Sequence, residues 1–390
     1  MESGIYFRIS IYMPVEFYKH PLSDEILPEL KKVFDSLFLT SGPVTVKFET
    51  AFSDYLGVNR TAGLSSCTAG LFLCLKAWGI GPGDEVLVPA MTFVATANAA
   101  LHVGATPVFV DIEPDTGLMD LVDAERKISP HTRAVIPVHL YGQMVDIEAF
   151  RAFADAHGLY LLEDAAHCIE GTRNGFKPGK LGDAACFSFY ATKNITCGEG
   201  GAVATNDDKL ADMISMLRLH GLDRDAANRY NHYKHWDMIE LGYKFNMCDI
   251  QAAILLPQLD TIETCHKKRK AVYNEYIKLL KDASLPITWP GIAPHTEHAY
   301  HLFVIRVESR LRDRLIAFFQ EKEIGIAVNY RAAHLNSYYR KHLGTMPGQC
   351  PHAEKMGDEV ISLPFYPDIE KKSIEQVISA ITQFFTEEGS

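Results

Sequence analysis

FSFYATKNITCGEGGAV, residues 187–203, begins by alternating apolar and polar side chains as a strand does. It then places one lysine, Lys193, in a loop of small residues before resuming as the apolar run GAVAT (201–205). The two runs are separated by about ten residues that include Gly198 and Gly200, with Gly201 opening the second run, fewer than the dozen or more a parallel crossover needs. The spacing therefore predicts that 201–205 runs antiparallel to the strand before it. Five further β-rich runs precede this pair: TAGLS (61–65), EVLVP (85–89), TPVFVDI (106–112), RAVIPVHL (133–140) and LYLLED (159–164). With ACFSFY (185–190) and GAVAT they make seven predicted strands. Segments with helical spacing separate the first five, such as the one holding Ile147, Phe150 and Phe153, and this is the rhythm of βαβ units. The expected fold class is α/β, with a mostly parallel, buried seven-stranded sheet.

From about residue 208 the pattern turns helical: LADMISMLRLHGL, a polar stretch near 223–237, and a long segment from Asn246 to Leu280. After Pro290 a new cluster begins, with HLFVIRV (301–307), a helix near 309–323, GIAVNY (325–330) and a last helix from about 371. These predict a large domain over residues 15–260 and a smaller C-terminal α/β domain over 261–390, with one helix bridging the boundary.

The 390 residues are 47% hydrophobic and 22% charged, enough for a large core in two domains. A formal charge of -11 argues against nucleic acid or an anionic membrane as partner, because both require a basic surface. No apolar run approaches the ~20 residues of a spanning helix, and MESGIYFRISIYMP at the start lacks the layout of a secretion signal. A cytoplasmic protein is the expectation. The eight cysteines form no C-x-x-C pair and are read as reduced thiols. The sixteen histidines make no cluster with metal-ligand spacing, so no metal is expected.

Open α/β sheets bind ligands outside the carboxyl ends of their strands, and three features fall there. SSCTAG (65–70) is a small-residue turn opening a helix, where backbone N–H groups and the hydroxyls of Ser66 and Thr68 would suit a phosphate; Ser and Thr are also ordinary helix caps. EDAAH (163–167) ends a strand. There Asp164 either caps the next segment or pairs with a cationic ring nitrogen, as an acid partners the pyridinium of pyridoxal phosphate (PLP), with His167 reaching another polar atom of the ring or resting in the core. Lys193 is the third. A lone loop lysine is usually solvated, but beside a phosphate cradle and an acid for a ring nitrogen it suits a Schiff base with PLP.

The ordered succession SSCTAG, PAMTFVATANAAL, PVHLYGQ, EDAAH, FSFYATKN, GEGGAV and GYKFNMCDIQAAI resembles the DegT/DnrJ/EryC1/StrS family of PLP-dependent sugar aminotransferases over nearly the whole chain. KNITCGEGG and YRAAHLNSYYR look most like the subgroup that makes UDP-4-amino-4-deoxy-L-arabinose from its 4-keto sugar. The resemblance implies a fold-type-I aminotransferase, PLP as cofactor, and a homodimer with shared active sites. It makes Lys193 the Schiff-base lysine, Asp164 the partner of the pyridine nitrogen and His167 the neighbour of the ring hydroxyl. Thr68, Ala69 and Ser188 would hold the phosphate, Phe93 would stack on the ring, and Asn246 would reach the phosphate of the other subunit. Arg331 and His334 fall near the expected substrate entrance.

The implied activity moves an amino group from L-glutamate to a nucleotide-linked keto sugar, for lipopolysaccharide or other glycans. Related dehydratases carry histidine in place of the lysine, so Lys193 argues against that chemistry. A non-catalytic regulator or scaffold on the same fold is the other alternative.

Overall fold

The computed structural model describes residues 14–223 and 235–388, so most of the polar stretch expected near 223–237 and nearly all of the opening MESGIYFRISIYMP lie outside the described residues. Helices α1 (Leu27–Phe34) and α2 (Pro43–Leu56) lead into alternating elements: β1 (Arg60–Leu64), α3 (Cys67–Ala77), β2 (Glu85–Pro89), α4 (Val94–His102), β3 (Thr106–Val110), α5 (Leu121–Lys127), β4 (Thr132–Val135), α6 (Ile147–His157) and β5 (Tyr160–Asp164). The two-residue β6 (Thr172–Arg173) precedes β7 (Ala184–Ser188), β8 (Gly201–Thr205) and α7 (Asp208–Leu217). Seven strands form the central sheet in the order β1-β8-β7-β5-β4-β2-β3. All neighbouring pairs are parallel except those of β8, which runs antiparallel to both β1 and β7. The short glycine-rich loop around Lys193 thus reverses the chain, as its length requires.

The helices start and stop for local reasons. Asp146 caps α6 by accepting the Ala149 N–H at 3.2 Å, Ile147, Phe150, Phe153 and Ala154 bury its inner face, and Gly158 ends it at φ 63. Strand β4 stops at Val135, well short of the expected residue 140. Pro137 has no N–H to continue the ladder, and beyond it the chain keeps only an isolated bridge between Val138 and Asp164. That bridge sets the loop after β4 beside the end of β5.

The long helix α8 (Asp249–Ala283) runs through residue 260, so the proposed domain division falls inside one element. Its first half packs with Phe48, Phe52, Phe187 and Phe189 under the large sheet, and its second half, through Val272, Tyr276 and Leu280, packs with the smaller cluster. After the two-residue β9 (Thr296–Glu297), that cluster is built on β10 (Phe303–Arg306), α9 (Ser309–Glu321), β11 (Val360–Leu363) and α12 (Lys371–Glu388), whereas α10 (Ser337–Leu343) and α11 (Pro351–Glu359) bury Tyr339, Ala353 and Met356 in the core of the large sheet. GIAVNY is no strand. The antiparallel partner of β10 is β11, and the segment 325–330 meets β11 through an isolated bridge between Ala327 and Ser362 and a hydrogen bond from Ser362 Oγ to Asn329 Oδ1 at 2.8 Å. Val15, expected in the large domain, bonds Glu323 and Gly325 and packs with the small one. No described helix is long and apolar enough to cross a membrane.

Candidate active site

The carboxyl ends of β5 and β7, the amino ends of α3 and α4, and the loop before β8 surround a cavity of about 570 Å³. Ser66, Thr68, Phe93, Asp164, His167, Ser188 and Lys193 all line it. Seven of the residues singled out in the sequence are therefore neighbours in space.

The cradle at the start of α3 is made by close backbone approach. A Cβ on Gly201 would sit 2.4 Å from the Cys67 nitrogen and 2.2 Å from the Ser66 carbonyl carbon. Only glycine lets β8 begin directly over the helix start. Ser66 caps α3, its hydroxyl accepting the Ala69 N–H at 3.1 Å. The Ser66 oxygen and the Ala69 amide are thus already paired with each other, and Ala69 is not among the residues lining the cavity. Thr68 and Ser188 reach it.

Asp164 is buried at the last position of β5. Thr96 Oγ1 donates to its Oδ2 at 2.8 Å and the Ala166 N–H to its Oδ1 at 3.1 Å. Because the Thr96 proton goes to the carboxylate, the 2.8 Å contact between Thr92 and Thr96 has Thr92 as donor. Burial pushes the Asp164 carboxyl up from its ordinary value, and the bonds from Thr96 and Ala166 only partly offset this. A buried acid in this condition favours a cation placed against it.

Lys193 supplies the opposite chemistry. Its Nζ has no hydrogen-bond or ion-pair partner among the described residues, and burial pulls the amine down to about 8, with Cys67 and Asp164 opposing the shift. Among the residues lining the cavity it is the only lysine or arginine.

His167 has both ring nitrogens committed. Nδ1 accepts the Tyr141 N–H at 3.3 Å, and Tyr141 holds φ 58 to offer it, a left-handed backbone that costs about 1–3 kcal/mol for such a residue. Burial, with the Lys193 charge, drives the imidazole well below its usual range. The neutral ring must then carry its proton on Nε2 and donate to the Tyr330 hydroxyl, 3.1 Å away. Tyr330 also lines the cavity, with its ring 5.8 Å from that of Phe93. Phe93 is 57% exposed at the mouth, an unusual position for a large aromatic with no ligand against it.

Besides Ala69, three expected residues lie outside the lining. Asn246 donates to Ser41 Oγ at 2.8 Å and does not line the cavity of its own chain. Arg331 is exposed, next to Tyr330 but outside the lining. His334 corrects the expectation of a substrate contact: it is wholly buried, bonds Glu354 at 3.0 Å and packs 6.0 Å from the Phe109 ring, so its imidazole is not offered to the cavity.

Sequence reasoning passed over Thr92, Thr96, Tyr141, Tyr330 and Phe17. Thr92 and Thr96 stand four apart at a helix start behind a strand, which was a readable signal. Phe17 gave none, because it comes from the far end of the chain. Among the described residues no group of His, Cys, Asp and Glu could hold a metal.

Residues 21–382 match the model of the DegT/DnrJ/EryC1/StrS aminotransferase family. The chain belongs to that family. It is 40% identical over 372 residues to the spore coat polysaccharide biosynthesis protein SpsC of Bacillus subtilis, covering 93% of this chain and 95% of the relative. Among solved structures it resembles S. venezuelae DesV in complex with a ketimine intermediate, at 35% identity and a TM-score of 0.88, over 95% of this chain and 98% of that one. It also resembles Helicobacter pylori PseC, an aminotransferase of pseudoaminic acid biosynthesis, at 26% identity and a TM-score of 0.90, over 96% and 100%. This family member has the PLP-dependent aminotransferase fold and takes PLP as cofactor, and it is a sugar aminotransferase by family.

Proposed function

We propose that the enzyme transfers the amino group of L-glutamate to the ketone of a nucleotide-linked sugar, with Lys193 as the lysine that holds the cofactor. The observation that carries the reading is the pairing, in one cavity, of an amine drawn down to about 8 with a buried carboxylate that lacks a cation. PLP, when bound, supplies an aldehyde that an amine can capture and a protonated ring that withdraws electrons from a carbon losing its proton. Lys193 is suited to take and return that proton at Nζ. With a pKa of about 8, roughly one amine in ten is neutral at pH 7, against fewer than one in a thousand for an ordinary lysine. Asp164, held by Thr96 and Ala166, is placed to keep a ring nitrogen protonated. Phe93 covers the mouth, and Thr68, Ser188 and the start of α3 offer donors to a phosphate.

The cavity wall supplies no fixed cation besides Lys193 for a doubly charged phosphate, which favours a second copy of the chain completing the site. Asn246 lies at hydrogen-bond distance from Thr40 and Ser41, which follow the exposed Leu37 and Leu39 in the chain, and Trp236, Met238, Ile239 and Leu241 are exposed as well. We take this apolar surface as the homodimer face and Asn246 as the residue it carries to the partner's cofactor. Formation of amino sugars in the cytoplasm for a lipopolysaccharide or other glycan fits the printed role of SpsC in polysaccharide biosynthesis.

Borohydride reduction of the holoenzyme, followed by peptide mass analysis, should place the cofactor on Lys193. Incubation with L-glutamate should release 2-oxoglutarate, and a survey of keto nucleotide sugars should then yield an amino sugar. A label on another lysine, or no oxo acid released, overturns the assignment. Mixed dimers of Lys193→Ala and Asn246→Glu chains should regain activity, because one site in each takes both intact residues. Confirmed mixed dimers without activity would refute the shared site.

A further inference from the structure

Directly behind the cavity lies a buried polar chain that joins the lysine loop to the second domain. Arg269, on α8, pairs with Glu170; Asn194, next to Lys193, donates its amide to Glu170 Oε2 at 2.7 Å and to the Ala299 carbonyl at 3.1 Å. His301 Nδ1 stands 3.1 Å from Asn194 Oδ1, and the His301 ring packs on His167 with centroids 4.4 Å apart and planes at 38°. All four members, Arg269, Glu170, Asn194 and His301, are at least nine-tenths buried.

Hydrogen-bond accounting fixes the protons. Both partners of the Asn194 NH2 group can only accept, so its orientation is assigned and Oδ1 is left facing His301. An amide oxygen can only accept, so His301 must be protonated at Nδ1. Gln258, also on α8, grips the loop two residues further on, bonding the Thr196 N–H at 3.0 Å and the Thr196 carbonyl at 2.7 Å. The backbone on which Lys193 rides is thus clamped from α8 and from residues 299–301. His301 touches both the lysine loop, through Asn194, and the histidine of the cavity, through its ring.

We propose that His301 is a positioning residue for this aminotransferase: its Nδ1–H holds Asn194, and with it the backbone carrying Lys193, while its ring braces His167 against the cavity. The inference rests on the assignment of Lys193 as the cofactor lysine. Its logic is mechanical. A buried hydrogen-bonded network restricts the geometry of the loop it holds, and a displacement of even about 1 Å at a reacting group lowers rate steeply. Loosening the loop should also let water reach Nζ.

Two variants separate the contributions. His301→Phe keeps a ring against His167 and loses the donor; His301→Asn loses the ring and keeps a donor, since its Nδ2 can occupy the place of Nδ1. In the holoenzyme with L-glutamate, His301→Phe should lower kcat about tenfold or more with KM within about twofold. In cofactor-free protein, competitive acetylation across pH, read on the Lys193 peptide, should show a midpoint near 8 for wild type. His301→Phe should move it upward toward the ordinary lysine range, and His301→Asn should restore it. A folded His301→Phe with wild-type kcat and midpoint overturns the proposal, as do two variants that lose rate equally with the midpoint unmoved. Should neither variant fold, nitrogen-15 shifts of His301 in the wild-type holoenzyme decide: an Nδ1–H ring supports the proposal and an Nε2–H ring refutes it. Borohydride labelling of wild type on a different lysine would remove the Lys193 assignment instead, which keeps the two failures apart.

Discussion

Glu163 and Asp164 are consecutive, both buried, at the end of the same strand, and each has a histidine nearby, yet they end in opposite situations. Alternation along a strand sends them to opposite faces of the sheet. Glu163 Oε1 accepts the Gly179 and Gly182 N–H groups at 2.9 and 3.1 Å, and its Oε2 bonds His139 Nε2 at 2.8 Å, with all these partners inside the protein. Asp164 is bonded on one side by Thr96 and Ala166 and opens on the other to the cavity that holds Lys193. The first carboxylate is a fastening for the loop 179–182. The second keeps an open side toward the cavity. Residue type and burial do not separate them; what remains of each group's bonding capacity does.

The comparison can be broken by substitution, and the largest effect belongs to the amine that Asp164 shares its cavity with. Lys193→Ala should lower turnover by at least about a thousandfold, since both the attachment point and the proton carrier go; steady-state assays of the variant loaded with PLP measure it. Next come the two acids. Asp164→Asn should lower kcat about a hundredfold or more, roughly 2.7 kcal/mol, with little change in thermal midpoint. Glu163→Gln should do the reverse: kcat within about threefold, and a clear drop in thermal midpoint from a disturbed buried network worth about 1–3 kcal/mol. Equal kcat losses in the two variants would abolish the distinction drawn between them.

Thr96→Val removes one bond to Asp164 without changing side-chain shape. The Asp164 carboxyl should rise further, because that bond now lowers it, and kcat should fall about tenfold, the scale of one hydrogen bond to a charged group. The rate at which cofactor-free protein captures PLP, followed by absorbance, should rise with pH up to about 8 and then level, since only the neutral Lys193 amine attacks. A flat profile from pH 6 to 9 would mean that burial does not govern the amine. The smallest effect is expected from Phe93→Ala. It should weaken PLP binding several-fold, about 1 kcal/mol, and leave the thermal midpoint unchanged because the ring is largely exposed.

Much of the site was legible along the chain because its groups sit at element ends, where local signals are strong. Asp164 closes an apolar run, Ser66 caps a helix, and Lys193 lies in a loop too short to cross over. His334 misled because a histidine near a family-like motif looks the same whether its ring faces a cavity or Glu354. Tyr330 was missed beside the exposed Arg331 for the same reason: the direction of a side chain in an irregular segment is set by distant packing.

Periodicity and turn length determined the alternating α/β pattern and the reversed last strand, and the order of motifs brought out the acid and the amine as candidates, since each signal depends on residues within a few positions of one another. The tertiary structure decided which buried carboxylate faces the cavity, that Thr96 bonds that carboxylate and Tyr330 bonds His167, and that Asn194 joins the lysine loop to Glu170, Ala299 and His301. Those facts join residues up to 163 positions apart. A hydrogen bond between such distant points exists only once packing has brought them together, and burial of the same residues is what then moves their proton affinities.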